Sequence, residues 1–202
     1  SFHPKLINGK AVEVNPLIVG GYNMDFDGDT AGIHVPVSEE ARKEALEKLM
    51  PSQNLLAVRH ESVMHAPGKE AVLGIYLMTT PKGTPTPMSS MTEAEALYRQ
   101  SKIKVNAALS INGKTVCVGQ KIFADTFPIN VRPDLMSVDG NVLDGLLVKV
   151  TKTQSTKTAG DVISRIKDLG NHYVTEIGAA ISLKDLDFDY TKRDAIIEKL
   201  QQ

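Results

Sequence analysis

One cysteine, Cys117, stands in 202 residues, so the chain forms neither an internal disulfide nor a multi-cysteine metal site. Tryptophan is absent and there are only five Tyr and five Phe, which leaves little for aromatic platforms that stack bases. Neither sign of charge is in excess: 23 Lys and Arg face 24 Asp and Glu, for a net charge of −1. That balance excludes nucleic-acid binding through bulk positive charge alone, which needs clustered cations to displace counterions, but not a piece whose basic surface comes from partners. No apolar run approaches the roughly 20 residues of a membrane helix. The opening Ser1-Phe2-His3-Pro4-Lys5 has no signal-peptide core. With 42% hydrophobic and 23% charged residues the composition is that of a folded soluble chain, expected in the cytoplasm, with length for one ordinary domain or two small ones.

What is present reads as α+β. Asn8-Gly9 between Lys5-Leu6-Ile7 and Ala11-Val12-Glu13-Val14 predicts a hairpin, because both central residues of a type I′ turn need φ > 0. Leu17-Ile18-Val19 and Gly32-Ile33-His34-Val35 read as short strands flanking a polar loop. Ser38 caps a helix with Glu39 and Glu40 in its first turn and apolar residues at 41, 45, 46 and 49, stopped by Pro51. A helical or mixed segment covers residues 71–78. Residues 80–92 are rich in Thr, Pro and Ser and predict a linker or exposed loop, followed by a Thr92/Glu95 capping box. A second Asn-Gly pair, Asn112-Gly113, predicts another hairpin, and residues 146–150 suggest a further strand. The last third reads as helices over 159–169, closed by Gly170, over 173–180, and after Thr191.

The loop Asn23-Met24-Asp25-Phe26-Asp27-Gly28-Asp29 sets three carboxylates at alternate positions within five residues. On one strand face these would repel, whereas a hard divalent cation between them makes their convergence favourable, and oxygen ligands suit Mg²⁺ or Ca²⁺. Gly28 lets the backbone turn so that Asp29 approaches Asp25 and Asp27. Acidic loops are also common, solvated and without function, and spacing alone leaves the two readings level. A calcium EF-hand fails on counting: from Asp25, position 6 is Thr30 where Gly is needed, and position 12 is Pro36 where Glu is needed.

The flanks separate these readings. Tyr22 to Asp29, followed by Ile33-His34-Val35-Pro36, resembles the active-site signature of the largest catalytic subunit of multisubunit RNA polymerases, called beta-prime in bacteria. The family form is Asn-Ala-Asp-Phe-Asp-Gly-Asp, then His-Val-Pro and an acidic helix; here Met24 replaces the Ala, and Thr30-Ala31 replace the usual Gln-Met. Phe2-His3-Pro4, Leu6-Ile7, Gly9-Lys10-Ala11 and Asn15-Pro16-Leu17 resemble the lead-in. Residues 72–79 resemble the family's Val-Leu-Gly-Leu-Tyr-Tyr-Met-Thr, and Val118-Gly119 and residues 166–186 follow it more loosely.

The resemblance implies that Asp25, Asp27 and Asp29 hold a catalytic Mg²⁺ at a double-psi β-barrel, that a second Mg²⁺ arrives with the nucleoside triphosphate, and that Asn23 lies near the sugar hydroxyls and favours ribonucleotides. Phe26 and His34 are expected to pack or orient the loop. It implies a barrel portion with its capping helix over residues 1–52, a mixed α/β pore or secondary-channel region over 53–186, and the start of a funnel-like helical segment over 187–202. The family's Arg-containing active-site segment, bridge helix and trigger loop have no counterpart here. The expected partners are therefore beta-like and remaining beta-prime-like chains, with DNA template, RNA product and nucleoside triphosphates, and no membrane. A phage polymerase with divided large subunits suits the brevity and divergence, which would place the chain in a bacterial host cytoplasm or a virion. The rival classes are a scaffold homologue without chemistry and a stand-alone divalent-metal module.

Other residues invite a functional reading and receive a plainer one. Asp185, Asp187 and Asp189 repeat the acidic spacing without a glycine and are expected to precede and cap the terminal helix. His60 and His65 are five apart, which is the wrong spacing for one helical face, and are expected to be loop or surface residues. Arg59 and Lys69 are read as solvated charge. Glu176 falls where the family carries a basic residue near the path of the incoming nucleotide.

Overall fold

The computed structural model describes residues 1–57, 62–180, 182–183 and 190–200. Its elements run α1 (Pro16–Tyr22), α2 (Glu39–Glu47), α3 (Lys69–Thr79), β1 (Lys82–Pro87), α4 (Met91–Arg99), β2 (Ala107–Ile111), β3 (Lys114–Val116), α5 (Val118–Ala124), a 3₁₀ turn (Ile129–Val131), α6 (Gly140–Thr153), α7 (Thr156–Ile177) and α8 (Thr191–Leu200). The fold is α+β with a single three-stranded sheet among the described residues. No helix among them is long and apolar enough to cross a membrane.

The core grows from α3 packed on α7. Ala71, Gly74, Ile75 and Met78 of α3 recur at helical spacing and are buried. They meet the buried stripe Ala159, Val162, Ile163, Ile166, Gly170 and Tyr173 of α7. Leu143, Leu147 and Val150 of α6 close the same cluster with Phe123, Phe127 and Val131. Gly170 does not end a helix as expected: α7 runs through it for 22 residues and stops at Gly178, whose φ is +75°. The missing side chain instead lets α3 approach, since a Cβ at residue 170 would lie 2.1 Å from the Ala71 carbonyl oxygen.

The last carbonyls of α3 have no partners within their own helix and are satisfied from elsewhere. Asn106 Nδ2 donates to Leu77 O (3.2 Å), Cys117 Sγ to Met78 O (3.4 Å) and Gln120 Nε2 to Thr79 O (3.0 Å). Thr79 Oγ1 donates back to Ile75 O (2.7 Å) and accepts the Val138 amide (3.0 Å). One buried helix end thus ties the sheet, α5 and the approach to α6 together.

The hairpin at Asn112-Gly113 is present, with φ of 52° and 75° joining β2 to β3. The expected linker is instead β1, an exposed edge strand parallel to β2 in which Pro85 and Pro87 are tolerated because one side of an edge strand has no ladder to complete. The cap of α4 lies two residues earlier than expected. Ser90 accepts the Glu93 amide (3.2 Å), and Glu93 accepts from Ser89 rather than Thr92 pairing with Glu95. Residues 146–150 are helical, not a strand, because Asp139 caps α6 by accepting the Val142 amide (2.9 Å) and every third or fourth side chain is buried. The Ser38 cap and the helix after Thr191 stand as expected. Arg59, His60 and Asp185 to Asp189 lie outside the described residues.

Residues 1–37 depart most from the expectation of strands. Neither the Asn8-Gly9 hairpin nor a strand over 32–35 is present, and Leu17-Ile18-Val19 is helical in α1. Asn15 is the reason: its Oδ1 accepts the Leu17 amide (3.0 Å), and Pro16 occupies the first helical position, where its fixed φ and missing N–H cost nothing. The alternating apolar residues of the remainder find no sheet to join among the described residues. Leu6, Val12, Ile33 and Val35 are 99%, 68%, 80% and 70% exposed.

Candidate metal centre

The acidic loop begins where α1 ends, and the ending is specific. Asn23 takes the left-handed conformation (φ 49°, ψ 44°), its amide donating to Gly20 O (3.3 Å), while the Met24 amide reaches Val19 O (3.2 Å). This pair of bonds is a Schellman stop with Asn in the place usually held by Gly, which Asn tolerates better than other side-chain-bearing residues. Asn23 therefore has a backbone task that its sequence position alone did not reveal. The chain leaves α1 in a fixed direction, and Asp25 follows two residues later.

Within the loop the Asp25 amide donates to Asp29 Oδ2 (3.1 Å) and the Asp27 amide to Asp25 Oδ1 (3.4 Å). Gly28, at φ +119°, makes the return that a side chain would strain. One oxygen from each of Asp25, Asp27 and Asp29 lies within 4.8 Å of the others. All three are exposed, so water screens their repulsion to about 1 kcal/mol per pair near 4 Å. The donor set is three exposed carboxylates offering oxygen only, which fits a hard divalent cation that keeps water or substrate ligands.

The other singled-out residues are placed as follows. Phe26 is 70% exposed and His34 is exposed, so neither packs the loop among the described residues. Lys69 is exposed at the start of α3. Glu176 is on α7 and pairs with His172 (3.3 Å). His65 lies in a turn, as the loop reading expects, but not at the surface: it is 6% exposed, and its ring lies against the last turn of α1. Its burial holds the imidazole below its ordinary pKa. Nothing in the residue spacing signals this, because the contact joins segments more than forty positions apart in sequence.

Residues 1–51, which contain the whole acidic loop, match the family described as RNA polymerase Rpb1, domain 2. Along 97% of its length the chain is 31% identical to the DNA-directed RNA polymerase subunit beta′ of Syntrophobacter fumaroxidans. The chain is a beta-prime-like segment. The corresponding subunits of Thermotoga maritima and Sulfurovum sp. are 29% and 30% identical over 98% and 97% of the chain. It spans only a small part of these relatives, 15%, 13% and 14% of their lengths respectively. The homologues are subunits of a multisubunit enzyme, and the similarity runs along nearly the whole chain rather than through the loop alone.

Proposed function

We propose that this beta-prime-like chain is the metal-holding piece of the catalytic centre of a DNA-directed RNA polymerase, active when assembled with other subunits. The observation that carries the reading is the convergence of Asp25, Asp27 and Asp29 within 4.8 Å inside the stretch that matches Rpb1 domain 2. These three side chains would hold Mg²⁺. When bound, the cation supplies polarisation of the RNA 3′ oxygen and charge stabilisation at the α-phosphate of the nucleoside triphosphate, a second ion coming with that substrate.

The residues of this chain prepare that site. The Asp25–Asp29 and Asp27–Asp25 hydrogen bonds fold the loop back on itself, so the ligands are near one another before a cation or substrate arrives. Asn23 fixes the entrance of the loop through its backbone and presents its amide to the ribose hydroxyls. The exposed Leu6, Ile33, Val35 and Val37 support a barrel completed by neighbouring chains, since alternating apolar residues without a sheet partner are a template for one. We assign residues 1–52 to that barrel portion, 53–186 to a pore or secondary-channel region and 187–202 to a following helical segment. The partners are beta-like and further beta-prime-like polypeptides, DNA template and RNA product in the cytoplasm of a cell, and no membrane.

The test is to purify the chain by a tag from its native source, identify what accompanies it and assay Mg²⁺-dependent ribonucleotide incorporation on a DNA template. Co-purifying polymerase-like chains with activity are expected. A lone, inactive chain would return the triad to the scaffold or stand-alone metal reading.

Asn23 offers a finer test, because its two tasks separate. Gly adopts the left-handed conformation at least as well, so Asn23→Gly is expected to preserve the stop of α1 and the affinity for the cation. Discrimination between ribo- and deoxyribonucleoside triphosphates should fall about tenfold or more with the amide gone, as expected when a substrate hydroxyl loses its partner. Unchanged discrimination in competitive incorporation assays would confine Asn23 to its backbone role.

A further inference from the structure

The chain is nearly neutral, yet its charge is not evenly spread. Arg99, Lys102 and Lys104 stand close together at the turn from α4 to β2, with no acidic residue between them. None of the three forms an ion pair with any described residue. By contrast Lys43 is paired with Glu47, Lys48 with Glu44, Lys121 with Glu95 (3.9 Å) and Arg132 with Asp125 (3.2 Å). The three unmatched cations line one surface cavity of about 590 Å³, together with Tyr98, Ile103 and Glu176. That volume falls within the range of about 300–1,000 Å³ usual for ligand sites.

The turn holds these side chains in place. The Ser101 amide donates to Tyr98 O (2.8 Å) and the Lys102 amide to Leu97 O (3.0 Å), a Schellman stop like the one at Asn23. Its left-handed residue is Ser101, at φ 55°, where glycine would be the unstrained choice. Beyond it Ile103 packs against the cluster of Leu109 and Val116, and Val105 enters the main core. Lys102 and Lys104 alternate with them and are left exposed. Tyr98 Oη is 2.9 Å from Tyr173 Oη, which fastens the end of α4 to α7. Glu176, the carboxylate of the lining, pairs with His172 on its own helix (3.3 Å). Complementing the α4 dipole accounts for Arg99 alone, because that effect falls off within the last turn. Lys102 and Lys104 lie past it, and their charge is unmatched among the described residues.

We propose that the α4–β2 turn is a seat for a chain of phosphate groups. Arg99 offers a planar fork that meets phosphate oxygens two at a time, and Lys102 and Lys104 add compact charges on the same cavity. The occupant is recognised by its phosphates, which come from the tail of a nucleotide or from the backbone of a single-stranded nucleic acid. No residue of the seat belongs to the acidic loop, so the inference stands apart from the metal-holding reading.

The test is calorimetric titration of the chain with inorganic tripolyphosphate at low ionic strength. EDTA is present, so Asp25, Asp27 and Asp29 cannot recruit the probe through a cation. Saturable binding is expected. Lys102→Ala/Lys104→Ala should weaken it about tenfold to a hundredfold, as the loss of charged hydrogen bonds implies. Lys102→Arg/Lys104→Arg keeps the charge and should stay within about threefold of wild type. Glu176→Gln removes the opposing charge and is expected to tighten binding about threefold, a gain that damage to the fold would not produce. Lys43→Ala/Lys48→Ala takes the same charge from α2 and should leave binding within about twofold. A short oligouridylate added to the complex separates the two sources. Displacement of tripolyphosphate assigns the seat to a nucleic-acid backbone, and retention assigns it to a nucleotide tail. Absence of saturable binding, or equal weakening by the α2 and turn variants, would overturn the seat and leave the metal centre untouched.

Discussion

Asp27→Ala is expected to lower RNA synthesis by the assembled polymerase by about a hundredfold to a thousandfold or more, while the chain still co-purifies with its partners. Asp27 is the clean position in the triad because its side chain supports nothing else in the loop. Asp29 accepts the Asp25 amide and Asp25 accepts the Asp27 amide, so truncating either removes a loop hydrogen bond along with a ligand. The carboxylate of Asp27 accepts neither of these bonds. Its loss should leave the turn at Gly28 and the approach from Asn23 in place, and remove one of three converging oxygens. Asp27→Asn sharpens the comparison, since it retains shape and withdraws only charge; a comparable loss would locate the effect in cation binding. Both variants are read by tagged pull-down, for assembly, and by Mg²⁺-dependent incorporation. Normal synthesis by either would sink the catalytic assignment, whatever the resemblance of the flanks.

The acidic loop was legible because its information is local. Alternation brought three acids together, Gly28 allowed the return, and the flanking residues carried a family pattern across it. The Asn112-Gly113 hairpin and the Ser38 cap were legible for the same reason: each is decided by two or three neighbouring residues. The errors fall where a short apolar run fits two periods. Leu17-Ile18-Val19 and residues 146–150 satisfy a strand as readily as a helix. In both cases the arbitrating signal was a cap upstream, Asn15-Pro16 and Asp139, rather than the run itself. Residues 5–14 and 32–35 differ again. Their alternation is a strand pattern, but a strand needs a partner, and none of the described residues provides one. His65 was hidden for a third reason, since its burial follows from where α1 packs and not from anything in its own neighbourhood.

Gly170 was also misread, and the physics of that error yields a large expected effect on stability. A glycine near the end of an apolar stripe has two explanations, a stop in the left-handed conformation or a close approach by another backbone. The structure selects the second. A Cβ at residue 170 would lie 2.1 Å from the Ala71 carbonyl oxygen and 2.8 Å from its Cα, and the obstacle is backbone of α3, which cannot swing aside as a side chain could. Gly74 meets the reciprocal limit, 1.9 Å from the Gly170 carbonyl oxygen, so the two helices touch through both glycines at once. Gly170→Ala gains about 1 kcal/mol in intrinsic helix propensity. Against this, α3 and α7 must separate across the centre of the core, a strain at or above the upper end of about 1–3 kcal/mol for overpacking. Destabilisation is therefore expected, by about 2 kcal/mol or more, as a lower denaturant midpoint. Gly160, in the same helix, is the internal control: an added Cβ there meets nothing within 4 Å. Gly160→Ala should raise the midpoint by the equivalent of about 0.5–1 kcal/mol. The same substitution, ten residues apart on one helix, is thus expected to change stability in opposite directions, and a stabilised Gly170→Ala variant would show that α3 and α7 do not approach as closely as their glycines permit.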